Sequence, residues 1–118
     1  MPSDLPQISD DVMRQLLPTA RSFTVVVLHK GPAYAPPNTD PLIWEHVRHN
    51  FAMRAAGLLR IVCPVADGTP FSGIGVFDAD PQTTEELLKG DPAIAAGVLV
   101  YEVHPSRSFP GDVLPPSP

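Results

Sequence analysis

The sequence predicts an α+β domain in which a four-stranded antiparallel sheet carries two helices on one of its faces. Two segments show apolar residues at helical spacing, and four short runs are rich in β-branched residues. Gly, Pro and Asp-Gly punctuation divides these into the order strand, helix, strand, strand, helix, strand. With 118 residues, 43% of them hydrophobic, the chain is long enough for one compact core and short for two.

Ile8 to Leu17 places Ile8, Val12, Leu16 and Leu17 on one helical face, with Ser9 or Asp10 available as a cap and Pro18 as a stop. SFTVVVLHK (22–30) reads as a central strand ending at Gly31-Pro32, and the proline-rich loop GPAYAPPNTD follows it. A helix is expected over 41–56, with Ile43, Val47, Phe51 and Ala55 forming an apolar stripe against a sheet and Gly57 ending it. LLRIVCPV and FSGIGVF flank the turn-rich ADGTP and predict a hairpin, with Gly73 and Gly75 weakening its second strand or marking a bulge. QTTEELLKG is a second helix, DPAIAAG a short extra turn and VLVYEVH the last strand. This order is the ferredoxin-like split βαβ arrangement. The expected organisation is a helical extension over 1–21, the α+β domain over 22–105 and a proline-rich tail over 106–118.

Alternation puts Phe23, Val25 and Val27 on one side of the first strand and Thr24, Val26 and Leu28 on the other, so both sides are largely apolar. Helices cover one side, and a second copy of the chain is expected on the other, making a homodimer. A net charge of -5, from 8 Lys+Arg against 13 Asp+Glu, offers no basic stripe for nucleic acid. No apolar run approaches the roughly 20 residues of a membrane span, and the first residues lack the pattern of a secretory signal. A cytoplasmic protein is expected. The single cysteine, Cys63, reads as a small buried apolar residue.

TVVVLHKGPAY, His46 ahead of Gly57, VCPV, and GDPAIAAGVLVYEVHP together resemble the YciI-like (YCII-related) family over residues 23 to 105. The resemblance implies a ferredoxin-like fold that dimerises into an α/β barrel. It also implies a pocket near the interface with a histidine and an aspartate as an active-site pair, which by position are His46 and Asp91. A few members of that family are linked to dehydrochlorination or other reactions on small cyclic or aromatic compounds. Two departures stand out: Val62-Cys63-Pro64 replaces the usual Ala-Gly-Pro, putting a side chain where glycine allows close approach, and Ala93 replaces an aromatic that would wall the pocket.

The residues themselves leave alternatives open. A neutral imidazole at His46 suits proton transfer beside a carbonyl, or simply packs beside the sheet; by helical angle it lies off the apolar stripe, on a mixed face with Leu42, His49 and Met53. Asp-Pro occurs at Asp40, Asp80 and Asp91, each time before a helical segment, where aspartate caps the first turn and proline loses no hydrogen bond. Asp91 is therefore a cap, a partner of His46, or both, since a carboxylate has two oxygens. His29 at a strand end, Tyr34 in the following loop and Pro64 closing the second strand are candidate ligand contacts. His46 and His49 share a helix face, but no acidic or sulfur ligand is tied to them by spacing, so no metal is expected. The Gly73–Gly75 pair lacks the length and basic residue of a phosphate loop, and no cofactor is expected.

Overall fold

The computed structural model describes residues 4–118. Its elements are α1 (Asp10–Leu16), a 3₁₀ turn (Leu17–Thr19), β1 (Arg21–Lys30), α2 (Asp40–Ala55), β2 (Leu59–Pro64), β3 (Phe71–Phe77), α3 (Pro81–Lys89), α4 (Pro92–Ala95) and β4 (Leu99–Ser108). The strands form an open antiparallel sheet in the order β2-β3-β1-β4, compatible with a ferredoxin-like fold. Two compact units are distinguished: 22–106, which holds most of the sheet and α2 to α4, and the N-terminal residues up to Arg21 with 107–118.

Capping chemistry sets the helix ends. Ser9 accepts from the Val12 amide (3.2 Å) and Asp80 from the Thr83 amide (2.7 Å). At the end of α2, Gly57 adopts φ +77°, and the Gly57 and Leu58 amides donate to the Arg54 and Met53 carbonyls, which satisfies the last turn. Asp40 differs from the other two Asp-Pro aspartates: it lies inside α2, and Thr39 holds the cap position, with its hydroxyl turned back to accept from the Ala35 amide. In the β2–β3 hairpin, Asp67 accepts from the Thr69 amide and hydroxyl, and Gly68 takes φ +81°.

On the helix side of the sheet, Val26, Leu28, Leu59 and Phe77 pack with Met53 of α2 and Leu88 of α3. A second cluster, Ala93, Val98 and Leu99, gathers Tyr34, Leu42 and Ile43. On the opposite side Val25 pairs with Val76 and Val27 with Ile74, away from α2, α3 and α4; Ile74 is 36% exposed and Val100 of β4 41%. Both faces of β1 are apolar, and α2, α3 and α4 occupy only one.

Three expectations need correction. The apolar stripe of α2 is not its buried side: Val47 and Phe51 are 38% and 57% exposed, whereas Met53, on the mixed face, is 4% exposed. Cys63 is exposed, because its pairing with Ile74 sends its side chain to the uncovered face. The last strand runs through Pro105 to Ser108 and takes in the start of the expected tail, which is tolerated because β4 is an edge strand.

Candidate active site

The site grows from α2 and from the start of α4. Asp91 precedes α4 in extended backbone (φ -83°, ψ 119°), and its Oδ1 accepts from the Ala93 amide at 2.9 Å, which fixes the side chain. Its other oxygen, Oδ2, faces α2 and accepts from Nδ1–H of His46 at 2.5 Å. Both readings of Asp91 therefore hold at once, with one oxygen for each. The carboxylate is 1% exposed and the imidazole 12%. Burial pushes the Asp91 carboxyl upward, but the hydrogen bond and charge of His46 and the Ala93 amide outweigh it and hold the carboxyl below its ordinary value.

One turn along α2, Asn50 Nδ2 lies 3.2 Å from His46 Nε2. The partners fix the tautomer of the neutral ring: a carboxylate only accepts, so Nδ1 carries the proton, and Nε2 keeps a lone pair that the Asn50 amide meets. His49 is occupied elsewhere, donating from Nε2 to the Leu87 carbonyl at 2.8 Å.

His46 and Asn50 line a cavity of about 270 Å³ between α2 and the sheet. Ile43, Val47 and Phe51 form its α2 wall, so residues 43, 46, 47, 50 and 51 make one stripe in which the histidine and the asparagine interrupt the apolar positions. The floor is made by absence. In β3 the residues facing α2 beside Val26 and Leu28 are Gly75 and Gly73, and the same glycines face Val62 and Pro64 of β2. A Cβ on Gly75 would stand 3.0 Å from Leu59 Cδ1 and 3.1 Å from a ring carbon of Phe77; one on Gly73 would stand 2.9 Å from the Cys63 carbonyl oxygen. Two missing side chains in consecutive rows leave the helix nothing to pack on, which opens the cavity and leaves Val47 and Phe51 half exposed. The glycines keep regular register, with the shifts falling at Leu28/His29 and Leu59/Ile61.

The other candidates are dispersed. Pro64 lines the cavity. His29 lies on the uncovered sheet face and donates from Nε2 to Glu102 Oε1 at 2.8 Å, while His104 donates to the other oxygen of Glu102 at 2.9 Å. Tyr34 packs in the cluster around Ala93 and Val98, with the Lys30 ammonium 5.2 Å from its ring centre. Neither His29 nor Tyr34 borders the cavity. Ala93 is fully buried in that cluster and is not a cavity wall. Cys63 borders the cavity, and its pairing with Ile74 puts its side chain on the far face of the sheet.

Asn50, Gly73 and Gly75 were not singled out as site residues from sequence. Their signals were present: a second polar residue four positions from His46 within an apolar stripe, and two glycines two apart on one face of a strand. Among the described residues, no group of three or more His, Cys, Asp or Glu side chains is placed to hold a metal ion, and no helix is long and apolar enough to cross a membrane. Neither the models of known protein families nor the sequences of curated proteins match this chain.

Proposed function

We propose that this protein is a small YciI-like enzyme of the isomerase or lyase type, which moves protons on a small organic substrate held in the cavity. The observation that carries the reading is the buried Asp91–His46 pair, whose imidazole forms part of the wall of an apolar cavity. His46 serves as general base and then acid. Asp91 orients the ring, keeps the proton on Nδ1 and stabilises the imidazolium that forms. The burial of the pair, 12% and 1% exposed, strengthens both effects.

The assembly that fits this reading is a cytoplasmic homodimer joined through the uncovered sheet face, as in a dimeric α/β barrel. Phe23, Val25 and Val27 of β1 and the exposed Ile74 and Val100 supply its apolar surface. Sedimentation at micromolar concentration should give a dimer; monomer alone counts against it.

A non-catalytic small-molecule or protein-binding dimer is the rival reading, favoured by the apolar character of the cavity and by exposed Phe51 beside it. His46→Gln separates the two. An enzyme keeps its fold and ligand affinity within a few-fold but loses turnover by at least roughly a hundredfold, whereas a binder has only affinity to lose.

A further inference from the structure

We propose that Asn50 is a second catalytic residue, the donor to a developing oxyanion, and that the substrate is a neutral carbonyl compound with an apolar body. The inference rests on the proton-transfer reading of His46 and adds to it a partner residue and a substrate class.

The Asn50 side chain is partly buried, so the partner its amide takes there matters. Asn50 pairs with the one atom that the proposed chemistry needs, the lone pair of His46 Nε2. When Nε2 takes a proton it stops being an acceptor, so the Asn50 N–H loses its partner in the same step. If that proton comes from the carbon beside a carbonyl, the C–H electron pair moves onto the carbonyl oxygen, and an acceptor of higher charge appears as the old one is lost. The amide is satisfied by nitrogen in the ground state and by oxygen in the transition state, which is the differential binding that accelerates a reaction. The sequence closes in one of two balanced ways. Where a carbon–carbon double bond is conjugated with the enolate, the imidazolium returns the proton to the far carbon of the dienolate, giving an isomer; otherwise the enolate electron pair expels a leaving group from the next carbon, which departs with the proton.

The lining decides the charge of the ligand. Among the described residues, no Lys, Arg, Asp or Glu borders the cavity; the polar side chain beside the imidazole is the Asn50 amide, and alternation along the strands puts the Ser72 hydroxyl and the Cys63 thiol on the other face of the sheet. A carboxylate or phosphate would enter without a counter-ion and lose its hydration. A cavity of about 270 Å³ exceeds the roughly 150 Å³ that accepts one benzene, so a substituted ring or a small fused pair fits.

The test uses 2-indanone, a neutral bicyclic ketone, with exchange of its α-hydrogens in D₂O followed by proton NMR and its binding by ligand-observed NMR. Wild type should bind it and exchange it above the buffer rate, and His46→Gln should bind it but exchange at the buffer rate. Asn50→Leu, with Asn50→Ala as a smaller second variant should the first not melt cooperatively, should lose roughly a hundredfold in turnover while KM stays within about threefold. Equal turnover in wild type and both Asn50 variants, with His46→Gln inactive, overturns the role of Asn50 and leaves the proton-transfer reading standing. Binding without exchange in wild type overturns both. Failure of wild type to bind 2-indanone overturns the substrate class.

Discussion

Two imidazole–carboxylate pairs sit on opposite faces of the same sheet. His46 and Asp91, on the helix side, are 12% and 1% exposed and 2.5 Å apart. His29 and Glu102, on the uncovered side, are 33% and 52% exposed and 2.8 Å apart. Glu102 is shared with His104, and the hydrogen bonds from His104 and His29 hold its carboxyl below the ordinary value. Each pair joins a ring N–H to a carboxylate, through Nδ1 in the first and Nε2 in the second, but their surroundings differ. Water screens the exposed pair and competes for its hydrogen bonds, so it adds little to stability. The buried pair is locked from behind by the Ala93 amide and has an apolar cavity in front. A His–carboxylate contact is thus no signature of a site until its burial and its neighbouring space are known.

The largest effect that sharpens this contrast is expected from Asp91→Asn. The amide oxygen can still cap α4, but its NH₂ group then faces Nδ1, favours the tautomer protonated on Nε2 and removes the base. Turnover of any exchanged substrate should fall roughly 10²- to 10⁴-fold with a modest change in melting temperature; unchanged turnover breaks the contrast. Next is Gly75→Val, which places methyl groups on the cavity floor against Leu59 and Phe77. Ligand binding should be lost, at a stability cost of about 1–3 kcal/mol from overpacking; retained affinity would show that ligands bind elsewhere.

Acid should act on the buried pair through linkage. The Asp91 carboxyl is held below its ordinary value, so its contribution is complete above about pH 4, the unfolded value, and is lost as pH falls through the lower folded value. In urea unfolding, the advantage of wild type over Asp91→Asn should shrink as pH drops below about 4. An advantage that stays constant into stronger acid would refute the assignment. The smallest effect is expected from His29→Gln, which removes the exposed pair's imidazole. Turnover should stay within about twofold of wild type, as for a solvated surface pair, and a large loss would move the site to the uncovered face.

Particular residues show how far the sequence could be read. Asp91 was legible as a helix start because capping is a local matter of a side-chain oxygen and the next few amides. Asp80 behaves the same way, yet it is exposed and reaches no histidine, so the Asp-Pro pair alone does not separate a cap from a cap that also orients a ring. His46 was legible only through resemblance. By helical angle it lies between the apolar stripe and the mixed face of Met53, and the burial of Met53 marks the mixed face as the packed one. Asn50 and the two glycines were overlooked because each looks ordinary alone, and their meaning depends on what lies across the gap between α2 and β3.

The order of elements, the helix ends and the apolar character of both sheet faces follow from the chain itself, since each rests on periodicity or on hydrogen bonds spanning a few residues. Which face of α2 turns inward, which aspartate meets which imidazole, and where a space is left unfilled depend on strand pairing. That pairing sets Gly73 and Gly75 beside Val26 and Leu28 and so denies the apolar stripe of α2 the surface it would otherwise cover.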